Sequence, residues 1–204
     1  RFYHGDPLMQ PRTASLLSLA APLLAAPAFA QTMPAAAPTM APASARQPAV
    51  GNHPGQMVTI KSTDRDISGY LVNPPTQAAN QPCIVLVHDI FGMTDFTKTE
   101  ADNFAKLGYT VLVPNLFSRI DGAANGLDAA SAAQAYKNTP DQQILADIHA
   151  SIEFLNDDGK PTAGQPLALV GIDMGGTYAM MAAGLELRAS CAVNFYGRLF
   201  YPET

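Results

Sequence analysis

Apolar and polar residues alternate over residues 57–61 and again over 67–72, separated by Thr63-Asp64-Arg65-Asp66. A period of two on both sides of a polar turn predicts an antiparallel hairpin, ended by Asn73-Pro74-Pro75. Residues 83–87 (CIVLV) show no alternation. A continuous, β-branched apolar run of that length predicts a parallel strand covered on both faces. Residues 109–113, 167–170 and 189–195 predict three more strands. The intervening stretches change to helical spacing. Asp95 is the expected cap of a helix over 96–107, with Phe96, Ala101, Phe104 and Leu107 inward and Gly108 as its stop. Residues 118–139 form a polar, alanine-rich excursion with one helix near 127–136. A longer helix runs from Pro140 or Asp141 to Asn156, with Ile144, Leu145, Ile148, Ile152 and Leu155 on one face. Another covers 175–187. Strands that alternate with helices specify the α/β class: a mostly parallel twisted sheet with helices on both faces.

The ends of the chain read differently from this domain, which is expected over 56–204. Met9-Gln10-Pro11-Arg12, the apolar run from Leu16 to Leu24 and Ala28-Phe29-Ala30 have the form of a secretory signal peptide over 9–30, cut after Ala30. The run is too short, and too interrupted by Pro22 and Pro27, to anchor the chain across about 30 Å of hydrocarbon. Residues 1–8 are an upstream extension with no role in that signal. Residues 31–55 carry Pro34, Pro38, Pro42, Pro48 and Pro54 among many alanines and predict an extended linker. The expected location is periplasmic or secreted, with no membrane attachment after cleavage.

The chain has 204 residues, 48% of them hydrophobic and 14% charged, with a net charge of −5. The apolar fraction suffices for one sizeable core. The charge and the lack of a basic cluster disfavour nucleic-acid binding, which needs grouped Lys and Arg against phosphate. Cys83 and Cys191 begin two strands that should flank a third. Two strand spacings of about 4.8 Å exceed the Cα–Cα reach of a disulfide, so two buried free thiols are expected. The pattern does not indicate an oligomeric state.

The chemistry concentrates at Val170-Gly171-Ile172-Asp173-Met174-Gly175-Gly176. A strand that passes directly into a helix through G-x-Nuc-x-G forms a nucleophile elbow, which raises its central residue above the sheet in a strained conformation. Here that residue is Asp173. The competing reading is an ordinary turn in which Asp173 caps the helix. Val87-His88-Asp89-Ile90-Phe91-Gly92 follows the first parallel strand, where this architecture places one donor of an oxyanion hole. The matching backbone N–H groups are those of Ile90 and Met174. At the carboxyl end of the last strand, Tyr196 and Arg198 are candidates for substrate contact, Arg198 through a bidentate bond to a carboxylate. Arg119 is similarly placed after the second parallel strand. No spacing of acids and histidines suggests a metal site, and no cofactor is implied.

These motifs resemble the dienelactone hydrolase family of the α/β-hydrolase fold. The resemblance covers about 56–201 and rests on Asp89-Ile90-Phe91-Gly92, on Gly108-Tyr109 through Pro114-Asn115-Leu116-Phe117, and on Gly171 to Gly176. It implies a hydrolase of small esters or lactones, with a small molecule as its partner. It also implies that Asp89 is the acidic loop residue that contacts the nucleophile. The family has cysteine where this chain has Asp173. Two adjacent carboxylates should raise the pKa of one, and one could stay protonated and hydrogen-bond to the other.

A carboxylate attacks saturated carbon well, whereas on an ester it would form an anhydride. The alternative activity is therefore an Asp-nucleophile hydrolase of carbon–halogen or epoxide bonds, although Met174 and the lack of tryptophan disfavour halide binding. A third reading is a catalytically dead binding protein that kept the fold. In this fold the acid and histidine follow the nucleophile. None of His4, His53, His88 and His149 has that place, so both are expected beyond Thr204. The chain as given is then inactive and only marginally stable, its final strands missing.

Overall fold

The computed structural model describes residues 52–186 and 188–199. The expected upstream extension and signal peptide, and the linker as far as residue 51, lie outside these. The order of elements is β1 (Gln56–Lys61), β2 (Asp66–Val72), β3 (Cys83–Val87), α1 (Asp95–Lys106), β4 (Thr110–Pro114), α2 (Ala129–Asn138), α3 (Asp141–Asn156), β5 (Leu167–Ile172), α4 (Met174–Leu185) and β6 (Ala189–Phe195). The sheet runs β1-β2-β4-β3-β5-β6. The β1–β2 hairpin joins β4 antiparallel, and β4, β3, β5 and β6 are parallel.

The two faces of the sheet are built from alternate residues of the same strands. On β3, Ile84 and Leu86 pack with Ala101 and Ala105 of α1. Cys83, Val85 and Val87 pack with Ile144 and Ile148 of α3 and with Tyr178 of α4. Both faces are therefore covered at β3, which explains why its sequence shows no alternation. Burying each such aliphatic side chain is worth about 1.5–3 kcal/mol. The connection from β3 to β4 steps to one side of β3, and the connection to β5 returns to the other. The strand order thus reverses between β3 and β5, and the carboxyl ends of the strands at such a point are where open α/β sheets generally bind ligands.

Several expectations are corrected. Thr94, not Asp95, caps α1, and its side chain accepts the Thr97 N–H. Asp95 is the first helical residue, where its charge suits the positive end of the helix. Phe96 and Leu107 are 51% and 74% exposed. The helix lies on the sheet through Thr97, Ala101 and Ala105, whose small side chains permit close approach. Buried polar groups complete that face. The Tyr70 hydroxyl donates to Asp102 Oδ1 at 2.5 Å and accepts the Gly55 N–H at 2.8 Å. His53, assigned to the linker from sequence, has Nδ1 2.8 Å from Asp102 Oδ2 and packs edge-on to Tyr70. Both thiols are free, but only Cys83 is buried. Cys191 is exposed because β6 is an edge strand among the described elements.

Arg119 is held in a structural ion-pair network. Its Nη1 lies 2.6 Å from Oδ2 of Asp147, a fully buried carboxylate of α3, and its Nε lies 3.0 Å from Asp64 in the β1–β2 turn. Ser62 donates a further bond of 2.6 Å to Asp147. This ties the hairpin to α3. Removing one partner of such a buried pair generally costs about 3–5 kcal/mol, because the other charge is left uncompensated. No helix among the described residues is long and apolar enough to cross a membrane.

Candidate active site

β5 ends at Ile172 and α4 begins at Met174, so one residue makes the whole turn. That residue, Asp173, has φ 52° and ψ −120° and makes no side-chain capping bond. The capping reading is thereby excluded. A non-glycine residue in this region costs about 1–3 kcal/mol, and it persists only because its surroundings over-determine it. Its N–H donates to Phe195 O at 2.8 Å, and its carbonyl accepts the Gly176 N–H at 3.0 Å. A side chain at Gly171 would fall on the Gly175 carbonyl, and one at Gly175 on the carbonyls of Val87 and His88. The helix therefore starts in direct contact with the β3 and β5 backbones, and the Asp173 side chain is left exposed above the sheet.

Register places the second acid beside it. Val87 of β3 pairs with Gly171 of β5. Asp89 and Asp173 each lie two residues further on, just past the ends of these neighbouring strands, at the point where the strand order reverses. Asp89 is half-buried, and its Oδ1 accepts the Phe91 N–H at 2.9 Å. Loss of solvent raises the Asp89 pKa above the ordinary carboxylate value, and the nearby charge of Asp173 raises it further, against the Phe91 bond that lowers it. The expected raised carboxyl is thus Asp89, with burial as the larger cause. No hydrogen bond joins the two carboxyls among the described residues, which corrects the expectation of a shared proton.

Local hydrogen bonds engage the N–H groups of Phe91, Gly92 and Gly176. They leave those of Ile90 and Met174 without a protein acceptor among the described residues. The two groups flank the carboxyl ends of β3 and β5.

His88 has another task. Its Nδ1 donates to Asp89 O at 2.7 Å and its Nε2 accepts the Leu116 N–H at 3.1 Å. Full burial lowers its pKa to about 4. It is a neutral strut that joins the exits of β3 and β4.

Tyr196 and Arg198 follow β6 at the same end of the sheet and are both exposed, Tyr196 at 93%. The sequence did not single out Asn194, which holds this loop in place. Its Oδ1 accepts the Gly197 N–H at 2.6 Å and its Nδ2 donates to Gly197 O at 3.2 Å. Thr177 of α4 donates to Arg198 O at 3.0 Å, so the loop is tied to the elbow helix. Tyr196 adopts φ 64° at its apex. An asparagine three residues before a glycine is a turn signal that could have located it.

Away from this site, His149 and Glu153 of α3 meet Glu186 beyond α4, three groups with metal-ligand chemistry. Arg188 pairs with both acids and draws the Glu186 carboxyl down to about 2. The cluster is an exposed ion-pair network.

The model of the Dienelactone hydrolase family matches residues 67–204. A candidate carboxymethylenebutenolidase of Yersinia pestis is 27% identical over 155 residues, covering 76% of this chain and 57% of that protein. The carboxymethylenebutenolidase of Pseudomonas putida is 30% identical over 145 residues, covering 69% and 60%. The chain thus spans less than two thirds of the length of these relatives. A crystal structure of a candidate dienelactone hydrolase from Klebsiella pneumoniae superposes with a TM-score of 0.65 at 22% identity, covering 74% of this chain and 62% of that one, and so shares the fold.

A stability measurement tests the Asp89 environment. Between the ordinary carboxylate pKa and the raised value, the folded chain holds a proton at Asp89 that the unfolded chain has lost. Stability therefore falls as pH rises through that window. Asp89→Asn keeps an oxygen for the Phe91 N–H, and it should remove the fall and exceed the parent's urea midpoint at pH 7. Parallel pH profiles for the two proteins would show that Asp89 carries no such penalty. Elbow and loop geometry, strand topology and family match agree, and the chain belongs to the dienelactone hydrolase family.

Proposed function

We propose that the protein is an exported hydrolase of small esters or lactones, the substrates implied by the name carboxymethylenebutenolidase that its relatives carry. The observation that carries this reading is that the N–H groups of Ile90 and Met174, at the exits of β3 and β5, have no protein acceptor among the described residues. Ester hydrolysis develops negative charge on the carbonyl oxygen, and fixed donors aimed at that oxygen stabilise it without reorganisation. Asp173 then serves best by drawing a proton from water as the water attacks, since direct attack would give an anhydride. Tyr196 and Arg198 border the same end of the sheet and would meet the substrate's remaining atoms, with Arg198 suited to a carboxylate. No described histidine can act as base here. His88 is buried in its strut, and His53 and His149 are bonded to Asp102 and Glu186.

A second reading is favoured by Asp173 itself. A carboxylate in the nucleophile position can attack saturated carbon bearing a halogen or an epoxide oxygen and form an ordinary ester. The alternative of a binding protein without turnover remains the outcome if neither chemistry is found.

Hydrolysis of p-nitrophenyl acetate by the full chain, compared with Asp173→Asn, tests the first reading. General-base assistance is worth about 10²–10⁴-fold, so the variant should lose at least tenfold in kcat/KM with an unchanged circular dichroism spectrum. Equal rates would overturn the reading. Export rests on the leader pattern at 9–30, and the mature protein recovered from the producing cells should begin at Gln31. A cytoplasmic protein that retains Met9 would refute it.

A further inference from the structure

Two carboxyl groups follow the paired strands at the point where the strand order reverses, Asp173 exposed and Asp89 half-buried, and the Asp173 charge acts on Asp89. We propose that this pair opens epoxides, with Asp173 forming the bond to carbon and Asp89 giving its proton to the departing ring oxygen. The proposal rests on the second reading, in which Asp173 is the nucleophile, and it selects the substrate class within that reading.

The electrophile follows from what Asp173 would make. Attack on an ester carbonyl yields a mixed anhydride, which is more reactive than the ester consumed. Attack on saturated carbon yields an alkyl ester, a stable product. Suitable substrates are therefore alkyl halides and epoxides, which differ in what leaves. A halide departs as a stable anion and needs no proton. An epoxide oxygen departs as an alkoxide, a strong base, and needs an acid at hand.

The site supplies such an acid. Asp89 and Asp173 each lie two residues beyond the pair Val87–Gly171, at the exits of neighbouring strands. One of its oxygens is occupied by the Phe91 N–H at 2.9 Å, which leaves the other to carry a proton. Burial and the Asp173 charge both favour the protonated form. The N–H groups of Ile90 and Met174, without a protein acceptor among the described residues, can take up charge on the oxygen before the proton arrives. Indole N–H groups, which could cradle a halide, are absent because the chain has no tryptophan.

The step balances without another reactant. A lone pair on the Asp173 carboxylate forms a C–O bond to one epoxide carbon. The ring C–O bond breaks, its electrons pass to oxygen, and the Asp89 proton follows. The product is a hydroxyalkyl ester of Asp173 beside an ionised Asp89. The pair carries one negative charge before the step and one after it. Two adjacent carboxyls suit this reaction because they never have to be charged together.

The test uses the full chain, with styrene oxide as epoxide and 1-bromo-2-phenylethane as an electrophile that needs no acid. Intact mass and peptide mapping should show one adduct of the whole epoxide mass on Asp173, absent from a folded Asp173→Asn. The rate of its formation should fall as pH rises through the Asp89 titration. In Asp89→Asn the ratio of epoxide to bromide alkylation should drop at least tenfold, since general acids contribute about 10²–10⁴-fold, and the fall with pH should vanish. An unchanged ratio, or a pH-independent epoxide rate in the parent, would overturn the role of Asp89. Alkylation by the bromide alone would overturn the epoxide class and leave Asp173 as a nucleophile. No adduct with either reagent would overturn the nucleophile reading and this proposal with it.

Discussion

Helix α4 begins in contact with two strands, and the rest of the site depends on that approach. Gly175 lies against the carbonyls of Val87 and His88, and Gly171 against the carbonyl of Gly175. Any side chain at either position would separate helix and sheet. With the two surfaces this close, one residue must make the whole turn, and Asp173 is held at φ 52°. The 1–3 kcal/mol typical of such a conformation is offset by the buried faces of α4, where Tyr178, Ala179 and Ala182 join the core of β3 and β5. Packing along the helix thus keeps the residue before it, Asp173, strained and its side chain exposed.

The same geometry governs the electrostatics. Because β3 and β5 are parallel and paired up to Val87 and Gly171, their exits carry Asp89 and Asp173 at the same end of the sheet, and the Asp173 charge acts on Asp89. Asp89 is half-buried, and loss of solvent together with the Asp173 charge raises its pKa. His88 holds the Asp89 carbonyl and the Leu116 N–H from within the core. Asn194 and Thr177 hold the Gly197–Arg198 loop from the other side. The neighbouring loops are thus fixed by buried or half-buried polar groups.

Much of this was legible in the sequence. The buried strands announced themselves because a strand covered on both faces has no polar positions, and β3 and β6 have the expected bounds. The elbow was legible because only glycine tolerates the approach at Gly171 and Gly175. Ile90 and Met174 were placed by the rule of architecture and Asp89 by the family resemblance, and the structure brings them to one end of the sheet. The misreadings share a cause. Apolar spacing suggested that Phe96 and Leu107 face inward, yet α1 rests on small and polar residues, among them Asp102, whose partners Tyr70 and His53 are remote in sequence. Arg119 resembled a substrate contact because its partners, Asp64 and Asp147, become neighbours only through the fold. Burial of Cys191 was inferred from its strand and not from the strand's place at the sheet edge. Long-range polar pairing leaves no periodic trace.

The central claim is that the elbow sets the Asp173 charge near enough to Asp89 to raise the Asp89 pKa. Carbon-detected NMR titration of the Asp89 carboxyl, in the parent and in Asp173→Asn, measures this directly. The account predicts an Asp89 pKa above the ordinary carboxylate value that moves down when the Asp173 charge is removed, with burial sustaining the remainder. An Asp89 that titrates at the ordinary value, and does not respond to Asp173→Asn, would contradict it.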